Sequence, residues 1–284
     1  MQSLRWLLGR FLGRATNSDD SGSDPPTAEE DWVDPQFPNS TTGLVGGPPV
    51  VDLDVFAVRN YLSYFVPIEV ADIILNFALY WPCSVSIKMP KKNQIFCTPA
   101  SVSENNAAAY YMVTPAIPPG YAPIQAVRFT IRSGDQGWGG DNFRGTYQGS
   151  YTWFEAAIIR DDREQVPQFL FQLEQQPVHA FNDDAFSREL AREIRNPLEE
   201  SERWKLQYNL QVSFPPKVHQ VVWMKDDVIN DEIEAVARAK GAGTGRGFVS
   251  TLRPGDRVAL VVRSQYPGWS NIVYGAKIEI FQAV

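Results

Sequence analysis

The residues best suited to contact a ligand cluster in a glycine-rich segment near the middle of the chain. Residues 134–149 hold six glycines, and among them stand Trp138, Tyr147, Asp135 and Arg144. Glycine turns sharply at positive φ, so such a segment can hold aromatic rings at the end of a sheet. Indole and phenol rings pack on a sugar ring or a peptide side chain, while nearby polar groups bond its hydroxyls or amides.

A second tryptophan-bearing turn lies near the end of the chain, at residues 266–271. If both turns meet at one end of a sandwich, their rings form a common surface, which Tyr151 and Trp153 extend. The alternative is that the tryptophans close the ends of the apolar core, with their N–H groups bonded to turn carbonyls. The candidate ligand-binding residues are Trp138, Asp135, Arg144, Tyr147, Trp269 and Asn271.

Acidic side chains offer a catalytic alternative. Glu155 with Asp161 or Asp162 has the residue types of a glycosidase pair, in which one carboxyl donates a proton and the other attacks or activates water. His179 and His219 are the only histidines, and they stand far apart in the chain. A histidine-based triad or a histidine-rich metal site is therefore not expected. We assign no catalytic residue.

Metal and phosphate sites are not indicated by the spacing. Asp135, Asp141 and Asn142 carry oxygen ligands of the kind calcium takes, but they match no calcium-loop pattern. The glycine run 241–247 follows a predicted helix and enters a predicted strand, whereas a phosphate loop follows a strand and opens a helix. We interpret that run as a flexible connector and expect no metal and no cofactor.

A third group of residues points to a protein partner. The stretch from Pro67 resembles the opening of an F-box, the short helical motif that docks on a Skp1-type adaptor. The resemblance covers about fifteen residues, and no helical second half follows Trp81. The alternative is a pair of helices that only pack on one end of the sheet domain. The resemblance implies adaptor-binding residues Pro67, Ile68, Val70, Ile73 and Ile74.

The composition is that of a globular chain with a nearly neutral body. Of the 284 residues, 44% are hydrophobic and 12% aromatic, enough to bury a core. The formal charge of −7 divides into +3 for residues 1–16, −9 for residues 17–54 and −1 for residues 55–284. A neutral body lacks the basic surface that nucleic acid requires, so we expect no nucleic-acid partner.

The chain divides into four predicted segments. Residues 1–15 are apolar with three arginines and are too short to span a bilayer. They form an amphipathic helix on a membrane surface, a mitochondrial presequence or an unstructured terminus. Residues 16–50 are a disordered acidic linker. Residues 51–82 are helical, and residues 83–284 form a sheet domain. The localisation expected from these features is cytoplasmic, with peripheral membrane contact through residues 1–15 as an alternative.

The sheet domain is predicted from period-two apolar patterning and proline-rich breaks. Ten short strands of this kind indicate a mainly β, antiparallel, jelly-roll-like sandwich with two short helices before it. Residues 161–203 and 226–240 are partly helical inserts. Cys83 and Cys97 are expected to be reduced thiols. The strands lie near 83–89, 94–98, 109–114, 125–133, 148–160, 204–214, 217–225, 247–252, 257–265 and 272–282.

Several stretches together resemble a group of fungal β-sandwich proteins of uncharacterised function. In that group a sheet domain follows a short helical segment, here at residues 66–82. The resemblance covers residues 60–284 and implies a fungal, intracellular setting without an activity. In architecture alone, the order of parts resembles the sugar-recognising F-box proteins. The stretches are 131–138, 145–154, 204–209, 219–223, 247–249, 252–257 and 265–269.

The sequence thus predicts a non-enzymatic ligand-binding or adaptor module that uses an aromatic loop surface. A hydrolase that acts on glycans near Glu155 is the alternative from the enzyme class. A structural or membrane-peripheral scaffold is the third possibility. The expected partners are a glycan or a protein, including a Skp1-type adaptor.

Overall fold

The computed structural model is a β-sandwich with a few short helices. Two antiparallel sheets pack face to face, which confirms the predicted jelly-roll-like fold. The predicted segments at residues 1–15 and 16–50 lie outside the described residues. The described ranges are 52–89, 96–103, 105–118, 123–139, 143–160, 178–179, 192–198, 203–212 and 214–284.

Within those ranges the chain forms four helices, and none is long and apolar enough to cross a membrane. The predicted strand at 247–252 is wrong, because Gly247, at φ 77°, opens a single helical turn there. Thr251 donates both its amide and its hydroxyl to the Gly247 carbonyl. A short apolar run does not distinguish one helical turn from a strand by period. The helices are α1 Asp52–Ser63, α2 Ile68–Phe77, α3 Asp231–Ala239 and α4 Phe248–Thr251.

Eleven strands occupy the described residues. The first sheet has the order β1-β11-β4-β9, with β2 also paired to β11, and the second has the order β6-β3-β10-β5-β7, with β8 paired to β5. Two short strands in the insert, β6 and β7, were not predicted. The strands are β1 Cys83–Lys88, β2 Phe96–Pro99, β3 Asn106–Val113, β4 Ile124–Gly134, β5 Thr152–Arg160, β6 Val178–His179, β7 Arg192–Ile194, β8 Trp204–Tyr208, β9 Lys217–Met224, β10 Arg257–Gln265 and β11 Ser270–Gln282.

Two connections pass from one sheet to the other at the same end of the sandwich. One runs from Gly134, the last residue of β4, to Thr152, the first residue of β5. The other runs from β10 in the second sheet to β11 in the first. Gly134 lies opposite Ile272 of β11, and Thr152 lies opposite Ser264 of β10, so all four strand ends meet there.

The core between the sheets contains a cluster of edge-to-face aromatic rings. Phe129 of β4 lies 5.2 Å from Trp223 of β9, measured between ring centroids. Phe248 of α4 lies 4.9 Å from Trp223 and 5.0 Å from Trp204. All four side chains are buried. Such pairs contribute about 1 kcal/mol beyond the burial of their area.

The glycine run at residues 241–247 is closely packed and does not act as a loose connector. A Cβ on Gly243 would lie 1.8 Å from the carbonyl oxygen of Lys205, and one on Gly245 would lie 2.0 Å from the Trp223 ring. The buried indoles of Trp223 and Trp204 donate to the carbonyls of Gly243 and Arg246 at 2.9 Å. Glycine is therefore required because the backbone must approach β8 and a core ring.

The two cysteines are free thiols, as expected. Cys83 of β1 lies opposite Phe281, and Cys97 of β2 lies opposite Ile272, nine positions away along β11. At a rise of roughly 3.3 Å per residue, the two positions are about 30 Å apart. A disulfide needs its Cα atoms within about 7 Å, so these thiols cannot pair within one chain.

His219 makes the stability of this fold depend on pH. Burial, and to a smaller extent the charge of Lys217, lowers the pKa of His219 to about 4, and its Nε2 atom has no hydrogen-bond partner. The unfolded histidine has a pKa of about 6.5. Between pH 6.5 and 4 the unfolded chain therefore takes up a proton that the folded chain does not, and the free energy of unfolding falls.

We predict that His219→Gln removes this fall in the free energy of unfolding at acidic pH. Between pH 7 and pH 4.5 the wild type should lose about 2 to 3 kcal/mol more than the variant, because glutamine does not titrate. Urea unfolding at both pH values measures the difference. An identical pH dependence in the two proteins would contradict a buried, neutral His219.

Candidate functional site

A buried pair of amide side chains ties the two sheets together at the end where the connections cross. Asn209, just after β8, donates to Asn271 Oδ1 at 2.9 Å and to Thr152 Oγ1 at 3.0 Å, and accepts from Ser133 Oγ at 2.7 Å. Asn271 of β11 donates to the carbonyls of Trp153 and Arg263. Both asparagines are fully buried. The pair therefore joins strands of both sheets through directional bonds.

Two further buried side chains hold the β4–β5 connection. Asp135 accepts from the amides of Gly137, at 2.9 Å, and Val212, at 2.6 Å. Gln136 donates to the Trp138 carbonyl at 2.7 Å and accepts from the Ser270 amide at 3.2 Å. One glutamine thus links the backbone at Trp138 to the start of β11.

Above this support lies a set of aromatic rings that we call the aromatic surface: Trp138, Tyr151, Tyr266 and Trp269. Tyr151 lies 4.7 Å from Tyr266 and 5.1 Å from Trp269, both edge to face. Cη2 of Trp138 lies 3.1 Å from the position a Cβ would take on Gly268. Trp138 is 52% exposed, Tyr266 43% and Tyr151 37%. The rings contact each other or each other's turns and remain open to solvent.

The turn between β10 and β11 adopts left-handed backbone at two positions. Gly268, at φ 94°, could not carry a side chain without displacing the Trp138 ring. Tyr266, at φ 67°, is not a glycine and so carries a conformational cost of about 1 kcal/mol. Its amide donates to the carbonyl of Asn105 at 3.0 Å, and its carbonyl accepts from Trp269. The turn thus holds a strained tyrosine beside Tyr151.

The structure brings together part of the predicted ligand-binding group. Trp138 and Trp269 share one end of the sandwich. Asp135 and Asn271 lie beneath the surface with their polar atoms bonded within the protein, so they position the loops instead of facing a ligand. Arg144 is exposed and bonds to none of the described residues. Asp141 and Asn142 lie outside the described residues.

Tyr147 does not belong to the aromatic surface. Its ring lies 5.9 Å from the ring of His219 and against Gly241, where a Cβ would come within 2.4 Å of it. Burial raises the pKa of its hydroxyl. No contact among the described residues joins Tyr147 to Trp138, so its place in the predicted ligand-binding group stays a prediction. Sequence reasoning also missed Asn209, whose partner Asn271 is 62 residues away; the only signal was a polar residue at the end of an apolar strand.

Glu155 lies on the outer face of the second sheet in a network of ion pairs. Its Oε1 atom accepts from the Trp153 indole at 2.8 Å, and Oε2 accepts from Arg263 at 3.3 Å. Arg203 lies 3.8 Å from the same carboxylate and pairs with Glu193 at 2.7 Å. Asp161 and Asp162 lie outside the described residues. With both oxygens engaged, Glu155 has the contacts of a structural ion pair. Among the described residues, no three His, Cys, Asp or Glu side chains gather as a metal site.

The helical hairpin of α1 and α2 presents a second exposed surface. Arg59 donates two bonds to Asp72, at 2.5 and 2.7 Å, and Val55, Ala71 and Leu75 are buried. Ten large apolar side chains of the hairpin are exposed, and they include four of the five predicted adaptor residues; the fifth, Pro67, is exposed as well. We call this set the hairpin surface: Phe56, Val58, Tyr61, Tyr64, Phe65, Ile68, Val70, Ile73, Ile74 and Phe77.

No family model and no curated protein sequence matches the chain. Among solved structures, the chain is similar in fold to the Emp46p carbohydrate recognition domain in its potassium-bound form. The sequences are 9% identical, the match covers 72% of this chain and 90% of that chain, and the TM-score is 0.29. The similarity is therefore limited to a β-rich fold. The resemblances to fungal β-sandwich proteins and to the F-box stay predictions.

We predict that Asn271→Ala destabilises the protein by about 2 to 4 kcal/mol. The change removes one acceptor of the Asn209 amide, which keeps its bond to Thr152, and takes the side-chain donor from the carbonyls of Trp153 and Arg263. Each such loss at a buried group costs about 1 to 3 kcal/mol. Urea unfolding measures the loss. The matched control is Asn106→Ala, which removes an exposed amide bonded to Arg263 and should cost less than about 1 kcal/mol. Equal losses would show that the buried pair has no special role.

Proposed function

We propose that this chain is a non-enzymatic recognition module that binds a carbohydrate ring on the aromatic surface. The proposal rests on the positions of two tryptophans. Trp138 and Trp269 are 131 positions apart in the chain, but the turns that carry them lie together, and Trp138 is 52% exposed. An exposed indole in a folded protein leaves apolar area in water, and a ligand that covers it recovers free energy of about 25 cal/mol per Å².

The chemistry of the aromatic surface favours a neutral, partly apolar ligand. Its four members carry no ionised side chain at neutral pH, and Pro267 and Gly268 between them are also uncharged. The phenol groups of Tyr151 and Tyr266 can each donate and accept a hydrogen bond. A pyranose has an apolar face of C–H groups bordered by hydroxyls, which matches an indole face beside phenol groups.

The support beneath the rings reduces the cost of binding. Gln136 joins the Trp138 backbone to Ser270, and the Asn209–Asn271 pair fixes the strand ends below. Aromatic side chains have only two side-chain torsions, so ordering them costs little conformational entropy. A surface held in its binding geometry before the ligand arrives loses less free energy when it binds.

The carboxylates near this end support binding without catalysis. Glycoside hydrolysis needs one carboxyl that donates a proton and a second that attacks or activates water. Asp135 accepts two backbone amides, and Glu155 accepts bonds from Trp153 and Arg263. Both side chains are used to hold the structure.

The proposal predicts that Trp138→Ala weakens glycan binding. A glycan array probed with the labelled full chain identifies the bound sugar, and calorimetry measures the affinity. Loss of the stacked indole should weaken binding about tenfold or more.

The matched control is Tyr64→Ala, because Tyr64 is 84% exposed but belongs to the hairpin surface. That variant should bind like the wild type. The carbohydrate assignment is wrong if the wild type binds no neutral glycan on the array, or if Trp138→Ala binds the glycan as tightly as Tyr64→Ala does.

A second candidate function, adaptor docking, is supported by the hairpin surface. Contiguous exposed apolar area on a folded protein is typical of a protein-binding site. Ile73 is 65% exposed and Phe77 92% exposed, although both lie on a helix with buried neighbours. A Skp1-type adaptor is the partner that the resemblance of this helix implies.

We predict that Ile73→Asp prevents capture of a purified Skp1-type adaptor by the full chain, because a carboxylate in an apolar interface loses its hydration. Surface plasmon resonance measures the affinity. Val102→Asp is the control, since Val102 is 88% exposed and lies outside the hairpin. If neither the wild type nor the control binds the adaptor, the adaptor assignment is wrong.

A further inference from the structure

A cleft of about 390 Å³ lies between β8, α3 and the glycine run that follows α3. Its side-chain lining comes from β8 and α3, and residues 241–245 form the remaining wall. None of these residues belongs to the aromatic surface or to the hairpin surface. The volume falls within the roughly 300 to 1,000 Å³ that small-molecule sites occupy. The side chains from β8 and α3 that line the cleft are Trp204, Lys205, Tyr208, Glu234 and Arg238.

The walls of the cleft are fixed by backbone bonds. Tyr208 donates its amide to the Gly241 carbonyl at 2.7 Å, and Gly243 donates to the Leu206 carbonyl at 2.9 Å. Gly243 also approaches Lys205 so closely that no other residue fits there. The cleft is therefore a preformed feature of the fold, and a ligand would not need to open it.

The donors on the β8 side are held in place and only partly used. The Lys205 ammonium donates to the Tyr208 hydroxyl at 2.7 Å and lies 5.0 Å from the centre of that ring. An ammonium has three N–H donors, so two remain. The hydroxyl of Tyr208 accepts this bond, which leaves its own proton free to donate. Lys205 and Tyr208 thus offer up to three donors in one place.

The α3 side adds a guanidinium. Arg238 is exposed, and its side chain forms no hydrogen bond or ion pair with the described residues. Guanidinium presents paired N–H donors whose spacing matches the two oxygens of a carboxylate. Glu234 lies one turn earlier on the same helix and lines the cleft as well. It is the acidic side chain in the lining.

The charge of the cleft selects the kind of anion. Lys205, Arg238 and Glu234 together carry +1 at neutral pH. The C-terminal end of α3, where the helix dipole is negative, adjoins the glycine wall. Glu234 and the negative end of the helix both disfavour a doubly charged phosphate. A single carboxylate carries one negative charge, which the net charge of +1 neutralises.

We propose that this cleft binds a small organic acid through its carboxylate. Lys205 and Tyr208 donate from β8, and Arg238 donates from α3. The apolar part of the acid packs on the half-exposed Tyr208 ring and on Ala242. This site is independent of the aromatic surface, and its test does not depend on glycan binding.

The test is an NMR titration of the full chain with sodium benzoate. Amide resonances of residues 205–208 and 241–245 should shift and saturate. Arg238→Gln and Lys205→Gln should each weaken binding about tenfold or more, because each removes charge-assisted hydrogen bonds. The control Arg253→Gln, which removes an exposed arginine outside the cleft, should bind benzoate like the wild type.

Two other probes separate the alternatives. Benzamide has the same ring without the charge and should bind at least about tenfold more weakly than benzoate. Inorganic phosphate should also bind more weakly. The proposal is overturned if benzoate causes no saturable shifts, if benzamide or phosphate binds as tightly as benzoate, or if Arg238→Gln binds like Arg253→Gln.

Discussion

The hydrogen bond between the side chains of Asn209 and Asn271 is the interaction on which the candidate binding end depends. Within each sheet, backbone bonds set the position of every strand, but the two sheets of a sandwich meet through apolar contacts that have little directionality. The asparagine pair adds directional bonds between the sheets, to Ser133 and Thr152 and to the carbonyls of Trp153 and Arg263. Because both asparagines, Ser133 and Thr152 are buried, a shift of one sheet would leave several polar atoms without partners.

The aromatic surface follows from that constraint. Its rings come from the β4–β5 and β10–β11 connections, and both connections cross from one sheet to the other directly above the asparagine pair. Gln136 then couples the two connections to each other. The nearly neutral charge of residues 55–284 is consistent with a surface that recognises an uncharged ligand. Strain at Tyr266 persists because the surrounding bonds fix the turn.

Much of the fold could be predicted because alternation of apolar side chains is a local signal. Nine of the ten predicted strands coincide with observed ones, and the exception, at α4, was a run of apolar residues too short to show its period. The pairing of Asn209 with Asn271 could not be predicted, since it depends on which strand ends meet. The contacts of Tyr147 with His219 and Gly241 could not be predicted for a related reason: glycine density indicates turns but not the direction in which the chain leaves them.

The two glycine-rich segments illustrate this limit. Both are rich in glycine, yet residues 134–149 carry the exposed Trp138 ring, while residues 241–247 press against β8 and the Trp223 indole. Glycine adopts positive φ in both segments, and in the second the absence of a side chain also lets the backbone pack closely. Composition alone therefore predicted a loop in each place, and only the packing distinguishes an exposed loop from the wall of a cleft.

A nuclear Overhauser measurement in solution shows whether loops from the two connections form one surface. In the structure the Trp138 ring lies against Gly268, with Cη2 3.1 Å from the position of a Cβ on that glycine. We expect a strong Overhauser effect between the proton on Cη2 of Trp138 and the α-protons of Gly268. If this effect is absent while the Overhauser effects between core residues are observed, the two loops lie apart in solution. That result would contradict a common aromatic surface.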